Sequence, residues 1–232
     1  MKKELILVLL LNTLILSNSQ PVEAKEKLNY IGFYEIGLKY YVKEEYKTAI
    51  LNFDKCLELN PKYVLALNYK AMSYAMVKEY DKALENFNII IKLDSNNYLA
   101  FYNIGRVYYE KKEYKIALEN YNKCLELNSN YTWAYNEKGN CHDNLKEFDK
   151  ALESYNKAIQ IDSSHYNSYY NIGKVYYEKK EYNKAIEYFD KCLELKPEYI
   201  SAINFKGMSF SMLKDYDKAL EIKQQSKKFW MF

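Results

Sequence analysis

Apolar residues recur at helical spacing along most of the chain, in two stripes separated by a short charged run. Within residues 166–199 the first stripe follows an i, i+3, i+4, i+7 pattern on one helix face: Tyr169, Ile172, Gly173 and Tyr176. A second stripe opens at Ala185, and only the charged run at residues 178–181 separates the two. Because the connection is so short, we expect the two helices to run antiparallel as a hairpin.

The hairpin pattern repeats every 34 residues from Tyr30 onward. A small residue stands at one equivalent position in every copy: Gly37, Ala71, Gly105, Gly139, Gly173 and Gly207. An alanine stands at another: Ala49, Ala83, Ala117, Ala151, Ala185 and Ala219. Larger side chains at these positions would hold the two helices of a hairpin apart. The pattern therefore predicts twelve helices in six hairpins, an all-α fold.

The repeated unit resembles the tetratricopeptide repeat (TPR), whose 34-residue motif has an aromatic residue, Leu-Gly, Tyr, Ala, Phe, a small residue and Pro at set places. The fifth unit carries Tyr169, Ile172, Gly173, Tyr176, Ala185, Phe189, Cys192 and Pro197 at these places. The resemblance implies a right-handed α-solenoid of about six helix-turn-helix repeats. The predicted array covers residues 30–232, in units 30–63, 64–97, 98–131, 132–165, 166–199 and 200–232.

The copies are of two kinds that alternate along the chain. Units one, three and five share a Tyr-Tyr pair and a Lys-Cys-Leu-Glu-Leu ending, whereas units two, four and six share Asn68, Asn136 and Asn204. The chain therefore consists of a 68-residue pair of repeats copied about three times. We expect any surface feature of one kind of unit to recur at every second step of the array.

The N-terminal residues 1–19 are typical of a secretory signal peptide. Lys2 and Lys3 precede an apolar run of about 12 residues, which is short of the roughly 20 needed to span a bilayer. Ser17-Asn18-Ser19 provides small residues for cleavage, and an uncleaved membrane anchor is the alternative. Residues 20–29 are polar, contain Pro21, and are interpreted as a linker. These features predict an exported protein, periplasmic or extracellular, with no membrane span in the mature chain.

The sixth unit ends differently from the others. Lys223 and Ser226 replace the aromatic and small residues that would contact a following repeat, which predicts a polar outer face. The final residues 229–232, Phe-Trp-Met-Phe, are apolar again. They either fold back on the last hairpin or form an exposed contact.

Composition and charge argue against several function classes. The net charge of +3 is too small to imply nucleic acid or an anionic membrane as a partner. Cys56, Cys124 and Cys192 share one equivalent position and are interpreted as core residues, while His142 and His165 lack a ligand partner at metal-binding spacing. We find no nucleophile–base pair and no phosphate loop. The chain is therefore predicted to be non-enzymatic, with no cofactor and no metal.

The resemblance implies a concave groove lined by the first helix of each hairpin. Candidate peptide-binding residues carried over to this chain are Tyr34, Leu38, Tyr41, Asn68, Met72, Tyr102, Arg106, Tyr109, Asn136, Asn140, Tyr170, Lys174, Tyr177 and Asn204. Three tyrosines and three asparagines alternate at one position, which we call the Tyr/Asn ladder: Tyr34, Asn68, Tyr102, Asn136, Tyr170 and Asn204. An asparagine side chain can hydrogen-bond a peptide backbone as both donor and acceptor. The groove is apolar in units one and two and polar by unit four.

Two functions remain open. The first is a protein-binding scaffold that holds a partner peptide or helix in the groove, with the alternative that the tyrosines only fill the space between repeats. The second is a structural component of an envelope or secretion assembly that associates through its convex face or its C-terminal end. The oligomeric state and the partner's identity are not indicated by the sequence.

Overall fold

The computed structural model describes residues 29–229, with side chains described as far as residue 224. These residues form twelve α-helices and no strand. In chain order the helices are α1 Tyr30–Val42, α2 Tyr46–Leu59, α3 Val64–Met76, α4 Tyr80–Leu93, α5 Tyr98–Glu110, α6 Tyr114–Leu127, α7 Thr132–Asn144, α8 Phe148–Ile161, α9 Tyr166–Glu178, α10 Tyr182–Leu195, α11 Ile200–Met212 and α12 Tyr216–Phe229.

Each helix packs mainly on its immediate neighbours in sequence, so the hairpins stack in one direction. Each odd-numbered helix is the first of a hairpin, and the even-numbered helix that follows is the second. The predicted all-α solenoid of helix-turn-helix repeats is confirmed. The predicted signal peptide at 1–19 and residues 20–28 of the predicted linker lie outside the described residues, as do residues 230–232 and the side chain of Phe229.

Each hairpin turn contains a left-handed residue that is not glycine. The backbone angle φ lies between 61° and 64° at six equivalent positions: Glu44, Lys78, Lys112, Lys146, Lys180 and Lys214. In the second unit the Lys78 N–H donates to the Ala75 carbonyl at 3.0 Å, and the Glu79 N–H donates to the Tyr74 carbonyl at 2.9 Å. This Schellman arrangement satisfies carbonyls at the helix end and reverses the chain within three residues.

The hairpins close around an aromatic ring that lies on bare helix backbone. A Cβ atom built on Gly105 would lie 2.6 Å from Cε1 of Tyr121, and one on Gly173 would lie 2.5 Å from Cε1 of Phe189. Phe53, Tyr121, Tyr155 and Phe189 are all completely buried. Glycine therefore lets the even-numbered helix seat its ring directly on the odd-numbered helix.

The two kinds of unit produce contacts that recur every 68 residues. Three tyrosine pairs occur in the odd-numbered units alone, with ring centroids 5.4–5.5 Å apart: Tyr41–Tyr46, Tyr109–Tyr114 and Tyr177–Tyr182. Ion pairs between units follow the same rule, since Asp54–Lys70 recurs as Asp190–Lys206. Tertiary contacts therefore follow the alternation that the sequence predicts.

The last unit is less polar on its outer face than the sequence suggests. Lys223 is exposed as expected, but Tyr216 and Leu220 on α12 are exposed as well. The equivalent residues of earlier units are half-buried because the next hairpin covers them. Within the described part of the chain, none of the helices is long and apolar enough to cross a membrane.

The glycine–ring contact makes a testable prediction. Gly173→Ala should lower the free energy of unfolding by about 1 kcal/mol, because the clash with the Phe189 ring outweighs the gain in helix propensity. This loss of stability is at the low end of the range for overpacking, because the second unit already accommodates Ala71 in the same core cluster as Phe87. Urea unfolding followed by circular dichroism measures the change.

Gly207→Ala is the matched control. Its new Cβ would meet only the Ile222 Cγ2 at 3.3 Å, so the gain in helix propensity should make it neutral or stabilising by up to about 1 kcal/mol. Equal effects of the two substitutions would show that the ring contact does not determine the requirement for glycine.

Candidate functional site

The odd-numbered helices line the inner surface of the solenoid. Each of them contacts the next odd-numbered helix, whereas successive even-numbered helices of the described array make no such contact. Helices that crowd together lie at the smaller radius of a curved stack, so the odd-numbered helices form the concave side. All fourteen predicted groove residues lie on these helices.

The structure divides the predicted residues by exposure. Tyr34, Tyr102 and Asn136 are buried, and Arg106 and Asn204 are exposed. The other nine are half-buried: Leu38, Tyr41, Asn68, Met72, Tyr109, Asn140, Tyr170, Lys174 and Tyr177. Peptide contact by these residues stays a prediction, but their present contacts show how each is held.

The three tyrosines of the predicted ladder pack into the junctions between units. The Tyr34 ring meets the Tyr63 ring edge-on at 5.2 Å, and the Tyr102 ring meets Tyr131 in the same way at 5.1 Å. Tyr170 repeats this contact on Tyr199, also at 5.1 Å. Burial raises the pKa of Tyr34 and Tyr102 above that of a free phenol. The partners in these three contacts are the last residues of the same units. Tyr34 also contacts Tyr69 of the next unit at 6.1 Å, and Tyr170 contacts Phe205 at 5.9 Å, so these two rings join neighbouring units.

Two asparagines of the predicted ladder accept hydrogen bonds from side chains of the next unit. Asn68 accepts a hydrogen bond from the Asn103 amide at 3.1 Å. Asn136 accepts from the Asn171 amide at 3.0 Å and from the Ser168 hydroxyl at 3.2 Å. Asn204, in the last unit, is exposed and makes no such bond within the described residues. The asparagines thus link one odd-numbered helix to the next.

Arg106 is the only arginine in the chain and lies exposed near the middle of the inner surface. Its guanidinium lies 5.9 Å from the centroid of the Tyr102 ring, a cation–π distance that fixes its direction. Its charge also acts on Glu137 of α7. Arg106 can therefore present N–H donors to a carboxylate or a carbonyl in the groove.

Glu137 is a half-buried carboxylate beside Arg106. Burial raises its pKa, while hydrogen bonds from Asn140 and Asn136 and the charge of Arg106 act in the opposite direction. The Asn140 amide donates to Glu137 Oε2 at 3.0 Å, and Asn140 Oδ1 accepts from the Tyr155 hydroxyl at 2.8 Å. This network connects the groove surface to the ring beneath it.

Sequence reasoning missed Glu137, together with Asn103 and Asn171. These residues share one register, adjacent to the ladder position, and lie 34 residues apart. Polar residues at a repeated position next to the groove could have pointed to them. The predicted set left out this column of the first helix.

Further along the array the inner surface is charged. Lys174 Nζ lies 3.9 Å from Asp143 Oδ2, and Lys146 Nζ donates to Glu178 Oε2 at 2.6 Å. Asn144 donates to the Tyr109 hydroxyl at 3.0 Å. Units four and five therefore present paired charges and amides.

The N-terminal part of the inner surface is apolar. Ile31, Leu65 and Leu99 occupy one equivalent position on successive odd-numbered helices, and each keeps 42–47% of its surface exposed. Val42 and Met76 add a second exposed apolar position. Methionines return in the last unit, where Met208 and Met212 are exposed. A ligand would meet apolar contacts at both ends and polar contacts between them.

The cysteines and histidines lie in the packed interior. All four cysteines are free and buried, and burial raises the thiol pKa of Cys56 to about 11 and of Cys124, Cys141 and Cys192 to about 12. Such thiols stay protonated at neutral pH and are poor nucleophiles. His142 Nδ1 lies 2.7 Å from Glu147 Oε2, and His165 Nδ1 lies 2.8 Å from Ser168 Oγ. No group of residues suited to a metal ion occurs in the described residues.

Comparison with known families agrees with this geometry. Models of the tetratricopeptide repeat match residues 98–131, 132–165 and 166–199, and a further one matches residues 52–85. These four stretches cover more than half of the chain. The chain belongs to the tetratricopeptide repeat family. The match at 52–85 begins inside α2, 12 residues before the second unit, and is therefore out of register with the other three.

Several solved structures resemble this TPR chain. MamA is 29% identical with a TM-score of 0.60, and the match covers 70% of this chain and 95% of MamA. YrrB, described as a TPR protein with an unusual peptide-binding site, is 27% identical with a TM-score of 0.56, covering 77% of this chain and 92% of YrrB. PilF of Pseudomonas aeruginosa shares the fold at 20% identity and a TM-score of 0.73, covering 87% of this chain and 91% of PilF. No curated protein sequence gives a significant match.

The environment of Glu137 predicts a pH-dependent effect on stability. Because its pKa is higher in the folded than in the unfolded chain, ionisation of Glu137 opposes folding, and its stabilising contribution is lost as pH rises through the folded-state pKa. Glu137→Gln removes the charge and keeps an acceptor for Asn140. The variant should therefore unfold at a higher temperature than the wild type at neutral pH, and the gain should shrink as the pH is lowered.

Thermal unfolding across a pH series tests this expectation. Glu119→Gln, on the exposed surface of α6, provides the control for loss of a carboxylate without burial. A Glu137 variant that is less stable than the wild type at neutral pH would show that its ionised form is favoured by the fold.

Proposed function

We propose that the protein is a non-enzymatic scaffold that holds an extended segment of a partner protein along its concave surface. The observation that carries this proposal is the row of exposed apolar side chains at one register, Ile31, Leu65 and Leu99, which leads to the exposed Arg106. Exposed apolar positions repeated along a groove are a common feature of protein-binding surfaces. The fold alone does not carry the function, because one fold can host many.

The chemistry of the surface suggests what the ligand contains. Apolar side chains of the partner would pack on Ile31, Leu65 and Leu99, each losing contact with water on both sides of the interface. A carboxylate of the partner would pair with Arg106, whose guanidinium is already held above the Tyr102 ring. Pre-positioning of this kind lowers the entropy cost of binding. The preferred peptide therefore combines apolar anchors with an acidic residue.

The predicted tyrosine and asparagine ladder takes a supporting role in this proposal. Tyr34 packs on Tyr69 of the next odd-numbered helix, and Tyr102 packs in one cluster with Ala134 and Cys141 of the next odd-numbered helix. Asn68 and Asn136 join successive odd-numbered helices through side-chain hydrogen bonds. Ligand contact then falls to the more accessible residues around them, with Arg106 foremost. YrrB, whose structure is similar, has a peptide-binding site, which supports a peptide ligand for this chain.

A displayed peptide library selected on the purified chain tests the proposal. We expect selected peptides to share apolar residues around an acidic one. Leu65→Glu and Arg106→Glu should each weaken binding of a selected peptide by about tenfold or more, since losing an apolar anchor or a charge-assisted contact costs roughly 1.4 kcal/mol or more. Fluorescence anisotropy with the labelled peptide measures the affinity.

Leu51→Glu is the matched control for the groove variants. Leu51 is exposed on α2, at a position where the next four units carry Glu85, Glu119, Glu153 and Glu187, so the change should leave both folding and binding intact. If Leu51→Glu weakens binding as much as Leu65→Glu, the ligand lies on the convex face. If selection enriches no peptide, groove binding of an extended segment is wrong.

Export remains part of the proposal through residues 1–19. The basic start, the short apolar run and the small residues before Gln20 support cleavage by a signal peptidase. We expect the exported protein to begin at Gln20 or a few residues later, because Val22-Glu23-Ala24 offers a second cleavage site. N-terminal sequencing of the exported chain measures this directly, and an intact Met1 on a membrane-bound chain would instead indicate the uncleaved anchor.

A further inference from the structure

The C-terminal end of the array exposes two residues whose equivalents in the earlier units are covered. Tyr216 and Leu220 on α12 are 66% and 56% exposed. The equivalent residues of unit two, Tyr80 and Leu84, pack in a cluster that includes Ile104 of the following unit. Those of unit four, Phe148 and Leu152, pack in a cluster that includes Ile172. The C-terminal face, defined by Tyr216 and Leu220, thus has the chemistry of an internal junction but no following repeat among the described residues.

The N-terminal end of the array carries the complementary half. Ile36 on α1 is equivalent to Ile104 and Ile172, which are almost completely buried beneath the preceding unit. Ile36 itself is only half-buried, whereas Tyr40 beside it is half-buried just as its equivalents Tyr108 and Tyr176 are within the array. The N-terminal face, defined by Ile36 and Tyr40, has no preceding unit in the described chain.

The alternation of units makes these two faces match. Units two and four are each followed by an odd-numbered unit, and unit six is of the same kind as units two and four. Among the described residues, unit one is the odd-numbered unit that has no unit packed before it. A second copy placed after unit six would therefore continue the 68-residue period without a break.

Charged residues at the two ends agree with this continuation. Between units two and three Asp81 lies 3.8 Å from Lys111, and between units four and five Asp149 lies 3.2 Å from Lys179. The residues that complete this series are Asp217 at one end and Lys43 at the other. Neither Asp217 nor Lys43 has an ion-pair partner within the described part of the chain.

A hydrogen bond between side chains belongs to the same 68-residue series. Asn171 donates to Asn136 between units four and five. The corresponding residues at the ends are Glu35 in place of the donor and Asn204 in place of the acceptor, so the direction of this bond would be reversed, with the Asn204 amide donating to the Glu35 carboxylate. Both are exposed. Apolar, ionic and hydrogen-bonding groups are thus complementary in one register.

We propose that the protein associates head to tail, with the C-terminal face of one copy bound to the N-terminal face of a second copy in the geometry of its own internal junctions. Such a heterologous contact leaves a free face at each end, so association continues into open chains. Two residues depart from the internal junctions: Lys39 stands where the equivalent Val107 and Val175 are buried, and Lys223 stands where the equivalent Phe87 and Tyr155 are buried. The contact should therefore be weaker than an internal junction, and reversible. This inference does not depend on groove binding.

Complementation between two face variants tests the proposal. The purified wild-type chain should show a mass above that of one chain, rising with concentration, in sedimentation equilibrium or light scattering. Leu220→Glu blocks the C-terminal face and Ile36→Glu blocks the N-terminal face, so each variant alone should be monomeric. Mixed in equal amounts, the two should form a one-to-one dimer that grows no further, because only one compatible pair of faces remains.

Controls and contrary outcomes follow from the same design. Leu51→Glu should associate as the wild type does, and circular dichroism should show that all variants keep their helices. A wild type that is monomeric at its highest soluble concentration overturns the proposal. A segment of the same chain that covers the C-terminal face would give this result. If Ile36→Glu alone still dimerises, the C-terminal face pairs with itself and head-to-tail association is wrong.

Discussion

The structure depends on one contact, which occurs in units one, three, four and five: an aromatic ring of the even-numbered helix lies on the bare glycine backbone of the preceding odd-numbered helix. At Gly105 and Gly173 there is no room for a methyl group without movement of the Tyr121 or Phe189 ring. This close approach sets the separation of the two helices in a hairpin. Because six hairpins share nearly the same separation, small offsets between neighbours accumulate into a curved stack with an inner surface.

Curvature gives the inner surface its character. The odd-numbered helices crowd together there, and side chains that would be free on an isolated helix become engaged with the next unit. Tyr34, which packs on Tyr69, Tyr102, which packs in a cluster with Ala134 and Cys141, and Asn136, which accepts from Asn171, are examples of contact across a junction. What stays accessible is the apolar row of Ile31, Leu65 and Leu99, and the charge of Arg106. The accessible surface of the groove therefore depends on which side chains pack against the next unit and on which stay exposed.

A linear stack also has two ends, and here the ends are unequal. In a globular domain the core closes on itself, whereas in a solenoid each unit covers only its neighbours. The sequence predicted a polar outer face for the last unit at Lys223 and Ser226. Lys223 is exposed as predicted, and the side chain of Ser226 lies outside the described residues. The described part of α12 also keeps Tyr216 and Leu220 of the internal pattern exposed, and Asp217 of the internal ion-pair series. The ends therefore keep side chains of the kind that form the junctions between internal units.

The sequence by itself determined the fold, the number of hairpins and the alternation of two kinds of unit, because helical periodicity and 34-residue spacing depend on local order alone. The groove residues that the sequence predicts all lie on the odd-numbered helices. Only the tertiary structure decided which groove residues stay accessible and which fill junctions, since neighbouring positions of one helix can face a ligand or the next unit. It also revealed Asn103 and Asn171, whose partners Asn68 and Asn136 lie on the preceding odd-numbered helix, and Glu137, on which the charge of Arg106 of the preceding odd-numbered helix acts.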